Sequence, residues 1–374
     1  LIFVMDEYPY AAKAEPSLSS VLQSLIDRYR EDSKLFLILC GSSMSFMEEQ
    51  VLGYQSPLYG RRTAQFKILP FDFFDTSRYF SQFSRLDLAM VYGLVGGTPQ
   101  YLAQLDEGLS LEDNIKNKLL SPSAYLFEEP GNLLKQEVRE AALYNAVVVA
   151  IAGGATKLSE IAGKAAIPSS ACASYMKNLI ALGIVRRETP LTEKEGRKSI
   201  YIIADNLFRF WYRFVPENLS LLQSGMVDLA YSRIAPQLTT YMGPVFEEIA
   251  RQYLWRLNQQ GQAAIPFVEL GRWWGNDPHK KQQVEIDLMG YADDSHALFG
   301  ECKWTESPVD AGVLESLVER SRLFPHTNKH YYLFAKSGFT QGCRDKATAL
   351  GHVSLISYPD MLPQDHRPLM EDTP

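Results

Sequence analysis

The sequence predicts a multidomain α/β protein, and three observations carry that prediction. Short apolar runs alternate with segments of helical spacing at both ends of the chain, over residues 1–75 and 241–374, which is the pattern of strands buried in mostly parallel sheets. The stretch between them, 76–240, is helical. A single charged hairpin near residues 185–202 interrupts it.

Leu1-Ile2-Phe3-Val4-Met5 reads as a buried strand ended by Asp6-Glu7. A helix follows near 17–29, where Ser17 can act as the cap and Val21, Leu22, Leu25, Ile26 and Tyr29 keep helical spacing. A second strand, Leu35–Leu39, ends at Gly41-Ser42-Ser43. Because the chain opens in mid-strand on Leu1, the expectation is a fragment of a larger domain. Residues 76–135 form a small helical domain broken at Gly96-Gly97-Thr98-Pro99, where proline suits the first turn of the next helix.

Residues 136–205 begin with the helix Ala141–Ala152 and the Gly153-Gly154 break. A short helix over 157–165, a turn at Ile167-Pro168 and a helix stopped by Gly183 follow, and then a hairpin of 185–188 with 196–202. Three helices and a hairpin at this spacing look like a winged helix-turn-helix. The segment has nine Lys/Arg against seven Asp/Glu, whereas the whole chain carries a net charge of −7. Arg186, Arg187, Arg197 and Lys198 on the wing are the DNA-binding candidates, and a wing that docks protein instead is the competing reading. The aromatic helix Asn206–Val215 reads as a buried connector spanning 206–240. The last domain, 241–374, resumes strand–helix alternation through a Trp273-Trp274 strand, a hairpin, a helix near 312–324 and a strand at 330–334.

Composition excludes several classes. With 46% hydrophobic and 22% charged residues in 374, the chain can bury a large core and is not natively disordered. Its longest apolar runs, Leu35–Cys40 and Ala146–Ala152, fall short of the roughly 20 residues that cross a bilayer, so no membrane partner is expected. Four cysteines far apart, with no C-x-x-C pair, suit reduced thiols in a cytoplasm. His326 and His330 precede and begin a strand and are not expected to form a metal pair.

Two adjacent carboxylates at the end of an apolar strand are what a phosphate-binding ATPase uses to hold magnesium and to orient a water for attack on the γ-phosphate. Asp6 would face the metal and Glu7 the water. A polar side chain at the end of the second strand can sense the γ-phosphate, and Tyr59-Gly60-Arg61-Arg62-Thr63 places arginines where they could reach a neighbouring subunit, which would make a homo-oligomer.

LIFVMDEYPYAA, LFLILCGSS, PLYGRRT and GGTPQYL together resemble the archaeal-type AAA ATPases, a P-loop group whose members commonly carry a helical lid, a winged helix and a C-terminal domain. The resemblance implies that Asp6 and Glu7 are the Walker B pair, Ser42 the sensor, and Arg61 or Arg62 an arginine finger. ATP and Mg2+ are the implied cofactors, and residues 1–75 the implied C-terminal part of a P-loop AAA core. No G-x-x-x-x-G-K-S/T occurs in the 374 residues, so the backbone cradle and lysine that supply most phosphate affinity are missing, and this chain is expected to bind ATP weakly.

In the last domain, a hairpin centred on Asp294 without a bulge would set Asp287 directly across from Glu301. Alternation puts Lys303 on the Glu301 face and Cys302 on the other. Glu247 or Glu248, on the preceding helix, would complete a three-carboxylate site for magnesium, with Lys303 stabilising developing charge. Glu on a helix, then Asp, then E-x-K resembles the PD-(D/E)XK nuclease superfamily, which implies a restriction-endonuclease-like α/β domain. Trp273 and Trp274 would fill the core on one side and line a groove on the other. The expected function is an ATP-driven switch acting on DNA; a magnesium-dependent DNA nuclease and a non-catalytic adaptor are the alternatives.

Overall fold

In the computed structural model, which describes residues 1–29, 34–41, 47, 51–194, 196, 198–278 and 280–362, β1 (Ile2–Met5) lies parallel to β2 (Phe36–Leu39), with Ile2 opposite Phe36 and Met5 opposite Leu39. The helices Tyr8–Ala14 and Leu18–Tyr29 connect them, as the strand–helix–strand pattern predicts. Tyr8 is fully buried with Ala12, Leu22, Val51 and Leu58 against Met5, Leu37 and Leu39. The alternate positions Ile2, Val4, Phe36 and Ile38 are exposed. Ser17 does not act as expected: its hydroxyl donates to Glu15 Oε1 at 2.6 Å, because that acceptor lies two residues away. These elements belong to one compact unit, residues 1–69 with 177–182; residues 70–176 with 183–374 form the other.

In the second unit the helices Phe73–Tyr79, Arg85–Val95 and Tyr125–Glu137 share one core with the Asn206–Gln223 helix, through Leu88, Val91, Leu94 and Leu126 against Leu207, Phe210, Phe214 and Leu222. The segments read separately from sequence as a lid and a connector therefore bury their apolar faces on each other, since neither stripe could be covered locally. Gly97 is obligatory here: a Cβ at that position would stand 1.9 Å from the Phe71 carbonyl oxygen, and Gly97 O accepts from the Phe71 N–H at 2.9 Å.

Ala141–Ala152, Leu158–Lys164 and Ser169–Ala181 precede the antiparallel hairpin of β3 (Val185–Glu188) and β4 (Ile200–Ile203), with Val185 opposite Ile203. The C-terminal sheet has the order β5-β6-β7-β8-β9: β5 (Glu269–Asp277), β6 (Gln282–Tyr291) and β7 (His296–Lys303) run antiparallel, then β8 (Asn328–Ala335) and β9 (Val353–Ser357) continue parallel. The helix Gly243–Gln259 covers one face, packing Phe246, Ile249 and Leu254 on Leu288, Leu298 and Cys302. Helices Ala311–Ser321 and Gln341–Leu350 cover the other, with Leu314, Leu317 and Cys343 against Met289, Phe299 and Leu333. The right-handed βαβ crossovers that parallel strands require explain why these two helices share one side. Among the described residues no helix is long and apolar enough to cross a membrane.

Candidate functional sites

At the end of β1 the chain turns sharply. Glu7 adopts φ 49° and ψ 39°, the left-handed region that a non-glycine residue occupies at a cost. The Asp6 carboxylate caps this turn, taking the Glu7 N–H at 3.0 Å and the Cys40 S–H at 3.5 Å, and the Tyr8 N–H donates to Cys40 O at 2.9 Å. The carboxyl ends of both parallel strands thus meet at Asp6, Glu7 and Cys40. Gly41 lets them approach, since a Cβ there would stand 2.4 Å from Pro9 Cδ. Desolvation, then the bond to Asp6 and the charges of Asp6 and Glu7, raise the Cys40 thiol above its ordinary value. Asp6 itself is exposed, so its carboxylate is accessible to a hydrated cation. Ser42 lies outside the described residues.

Arg61 is committed within its own unit. Nε and Nη2 reach the two Asp27 carboxylate oxygens at 2.7 Å each, and Nη1 donates to Pro57 O at 3.0 Å. The Arg61 guanidinium is thus bidentate and backbone-anchored, while Arg62 is exposed.

On the hairpin, Arg186 pairs with Glu188 at 2.7 Å and faces Glu248 at 3.5 Å, while Lys198 pairs with Glu193. Arg187 lies over the Tyr201 ring at 5.9 Å, and Arg197 is outside the described residues. Two of the basic residues nominated for DNA therefore already have carboxylate partners. Glu188 also stands 3.7 Å from Arg272 of β5, and Leu191 N–H donates to Arg272 O at 2.9 Å, which binds the hairpin to the edge of the C-terminal sheet.

Between the hairpin, the Gly243–Gln259 helix and β5–β6 lies a cavity of about 430 Å³ lined by Glu247, Glu248, Arg251, Arg272, Trp274 and Asp287, among others. Glu247 is pushed up to about 8, first by desolvation and then by the charge of Asp287. Asp287 is pushed up to about 6 by desolvation and by Glu301, against the hydrogen bond it accepts from Cys302 N–H. Burial also disfavours the Glu248 anion, but Arg251, bonded to it at 3.0 Å through Nε, outweighs that and keeps it below its ordinary value. One wall of the cavity thus carries two acids whose neutral forms burial favours, and the other the Glu248–Arg251 ion pair.

The expected alignment of Asp287 with Glu301 holds only in count. Leu288 pairs with Gly300, so Asp287 is next to the Glu301 position, but the β5–β6 register shifts between Gly271 and Trp273. That bulge leaves Ile286 and Met289 in the core under Ala311–Ser321 and Leu288 in the core under Gly243–Gln259. Asp287 consequently opens into the cavity with Glu247. Glu301 and Lys303 turn to the opposite side, where Lys303 Nζ donates to Glu301 Oε1 at 2.7 Å and Arg320 Nη2 stands 3.1 Å from Oε2. Burial lowers the Lys303 ammonium, but Glu301 outweighs it and holds the pKa above the ordinary value, so Lys303 is a fixed cation. Among the described residues no three His, Cys, Asp or Glu side chains come together as a metal group. Asp287 stands between the other two expected carboxylates, raised by the charge of Glu301 and itself raising Glu247.

Trp273 packs on Phe324 with ring centroids 4.9 Å apart while Trp274 lines the cavity, as alternation requires. His326 stacks on Tyr291 and His330 bonds Ser354, so they do not pair. Arg251, Arg272 and Arg320 escaped the sequence reading; each sits within four residues of a nominated acid or tryptophan or on a predicted helix, but only the tertiary fold sets its partner.

The β1–β2 pair is a parallel strand–helix–strand edge with paired acids at its carboxyl end. Residues 1–105 match an ATPase domain found predominantly in Archaea, and residues 211–314 match a family of archaeal and bacterial proteins of unknown function. The uncharacterized protein MJECL04 of Methanocaldococcus jannaschii is 35% identical over 307 residues, which cover 82% of this chain and 68% of that protein. The chain belongs to the archaeal-type ATPase family. No solved structure matches it.

Proposed function

We propose that residues 1–69 supply the magnesium- and water-orienting edge of an ATP site, and that nucleotide state there controls a DNA-directed second unit. The carrying observation is Asp6-Glu7 at the shared carboxyl end of the parallel pair β1–β2, held in a strained turn. Asp6 would hold the hydration shell of the metal and Glu7 would accept a hydrogen bond from the attacking water; magnesium, when bound, neutralises charge on the phosphate oxygens. Ser42 would sense the γ-phosphate, and Arg62 would serve a neighbouring copy of the chain. Titration with fluorescent ATP, with and without magnesium, tests this edge. Weak binding that needs magnesium and disappears in Asp6→Asn supports it; binding indifferent to both overturns it. Micromolar affinity would refute the expectation of weak binding.

Residues 136–205 read as a winged helix and residues 241–374 as a nuclease-like domain, and Arg186, Arg187, Arg197 and Lys198 of the wing would contact DNA. Three helices ending in the β3–β4 hairpin, followed by a mixed sheet with E-x-K on β7, support that reading. DNA affinity that falls steeply with salt, with a smaller slope after Arg197→Ala or Lys198→Ala, is the expected result, and affinity indifferent to salt would exclude it. Metal-dependent cleavage is favoured by one observation, the adjoining placement of Asp287 and Glu301 beside Lys303. Magnesium-dependent cutting that vanishes in Asp287→Ala and Lys303→Ala supports cleavage; a wild type that never cuts leaves the ATP-driven switch or the adaptor.

A further inference from the structure

A second cavity, of about 500 Å³, lies beside the Asn206–Gln223 helix, which sequence reads as only a buried connector. Arg209 and Arg213, one helical turn apart, line it together with Gln237, Thr240, Phe214 and Tyr241, and its described lining residues include no carboxylate. Its volume is that of a small-molecule site. Two guanidiniums on one wall with no carboxylate in the lining attract an anion, although Arg209 also borders the first cavity beside Glu247 and Glu248.

Arg209 is held in place before any ligand arrives. Its guanidinium lies 4.9 Å from the Tyr241 ring centroid and its Nε points to Tyr241 Oη at 3.4 Å, while that hydroxyl donates to Gly93 O at 2.7 Å. Arg209 Nη2 is buried and has no hydrogen-bond partner. That nitrogen has no surface open to the cavity, so a ligand there would meet Arg209 through the rest of its guanidinium. Asp205, one turn earlier, does not take that role: burial pushes its carboxyl up to about 6 against the pull of Arg209, its carboxylate accepts the Phe208 N–H at 2.9 Å, and it does not line the cavity. Arg213 is exposed and its Nη2 donates to Gln237 Oε1 at 3.1 Å, so it can swing to a ligand while Gln237 stays beside it.

We propose that this cavity binds a phosphate group between Arg209 and Arg213, with Phe214 and Tyr241 forming the wall for whatever the phosphate is attached to. Two planar forks match the several acceptor oxygens and double charge of phosphate better than a single carboxylate. The phosphate could belong to a free phosphorylated compound or to a nucleic-acid backbone. Calorimetric titration of the whole chain with pyrophosphate and with a short single-stranded oligonucleotide distinguishes the two, at constant ionic strength. Pyrophosphate should bind, and Arg213→Gln should weaken it about tenfold without disturbing the fold, because Arg213 is exposed. Arg209→Lys, which keeps the charge and loses the fork, should do the same. An oligonucleotide that competes with pyrophosphate assigns the site to nucleic acid, and one that does not assigns it to a free compound. Failure of both probes to bind, or binding unchanged in both variants, overturns the proposal. Neither arginine belongs to the Asp6–Glu7 edge, so this result is independent of ATP binding there.

Discussion

The Asp287 carboxylate accepts the backbone N–H of Cys302 at 2.9 Å, so a side chain on β6 replaces the next rung of the β6–β7 ladder, one residue beyond the Leu288–Gly300 pair. Asp287→Asn keeps an acceptor and removes the charge that desolvation and Glu301 oppose, whereas Asp287→Ala leaves a part-buried N–H unpaired. Urea denaturation should therefore find Asp287→Ala less stable than Asp287→Asn by about 1–3 kcal/mol. Equal stabilities would show that the bond contributes nothing.

Stability of the metal-free protein should fall as pH rises through the titration of the cavity acids. Glu247 moves from an ordinary 4.5 to about 8 and Asp287 from 3.8 to about 6 on folding. Both folded-state values lie above the unfolded ones, so the unfolded chain loses its protons first and the protonated fold is favoured at low pH. The decline begins above the ordinary carboxylate values and ends near 8, where both states are ionised. Melting temperatures of Glu247→Gln should be flatter across this range than those of wild type, and parallel profiles would contradict the assignment.

Glu188 joins Arg186 on its own strand to Arg272 on β5, and its side chain is only 19% exposed. Glu188→Ala removes the carboxylate that Arg186 and Arg272 share but leaves them Glu248 and Glu285, and should cost about 1–2 kcal/mol. Guanidinium denaturation measures it, and a loss below about 0.5 kcal/mol would place the pair among ordinary surface bridges.

Gly97→Ala should be among the most damaging single changes, at about 3 kcal/mol or more, since the new methyl would overlap the Phe71 carbonyl oxygen at 1.9 Å. A variant that melts with the wild type would show that the Gly96-Gly97 turn can shift.

The Arg61–Asp27 pair is bidentate but open to water on the Asp27 side, which is 48% exposed. A double-mutant cycle should give a small favourable coupling that weakens with added salt. Zero coupling would return Arg61 to the pool of arginines available to another subunit.

Much of this architecture follows from local pattern. The period of the apolar residues, the break at Gly96-Gly97 and the charged hairpin were enough to place β1, β2, the helical middle and the C-terminal strands within a few residues, because burial of an apolar face depends only on spacing along one element. The acidic dipeptide Asp6-Glu7 was legible for the same reason, as it ends a strand. Which carboxylates meet was not. One extra residue in β6 opposite Arg272 brings Asp287 to the cavity beside Glu247 while it still feels the charge of Glu301, and a bulge leaves no mark in hydrophobic alternation that distinguishes it from a regular strand. Arg186, Arg61 and Arg320 likewise acquired Glu248, Asp27 and Glu301 as partners from packing between elements distant in sequence, and no spacing rule reaches that far.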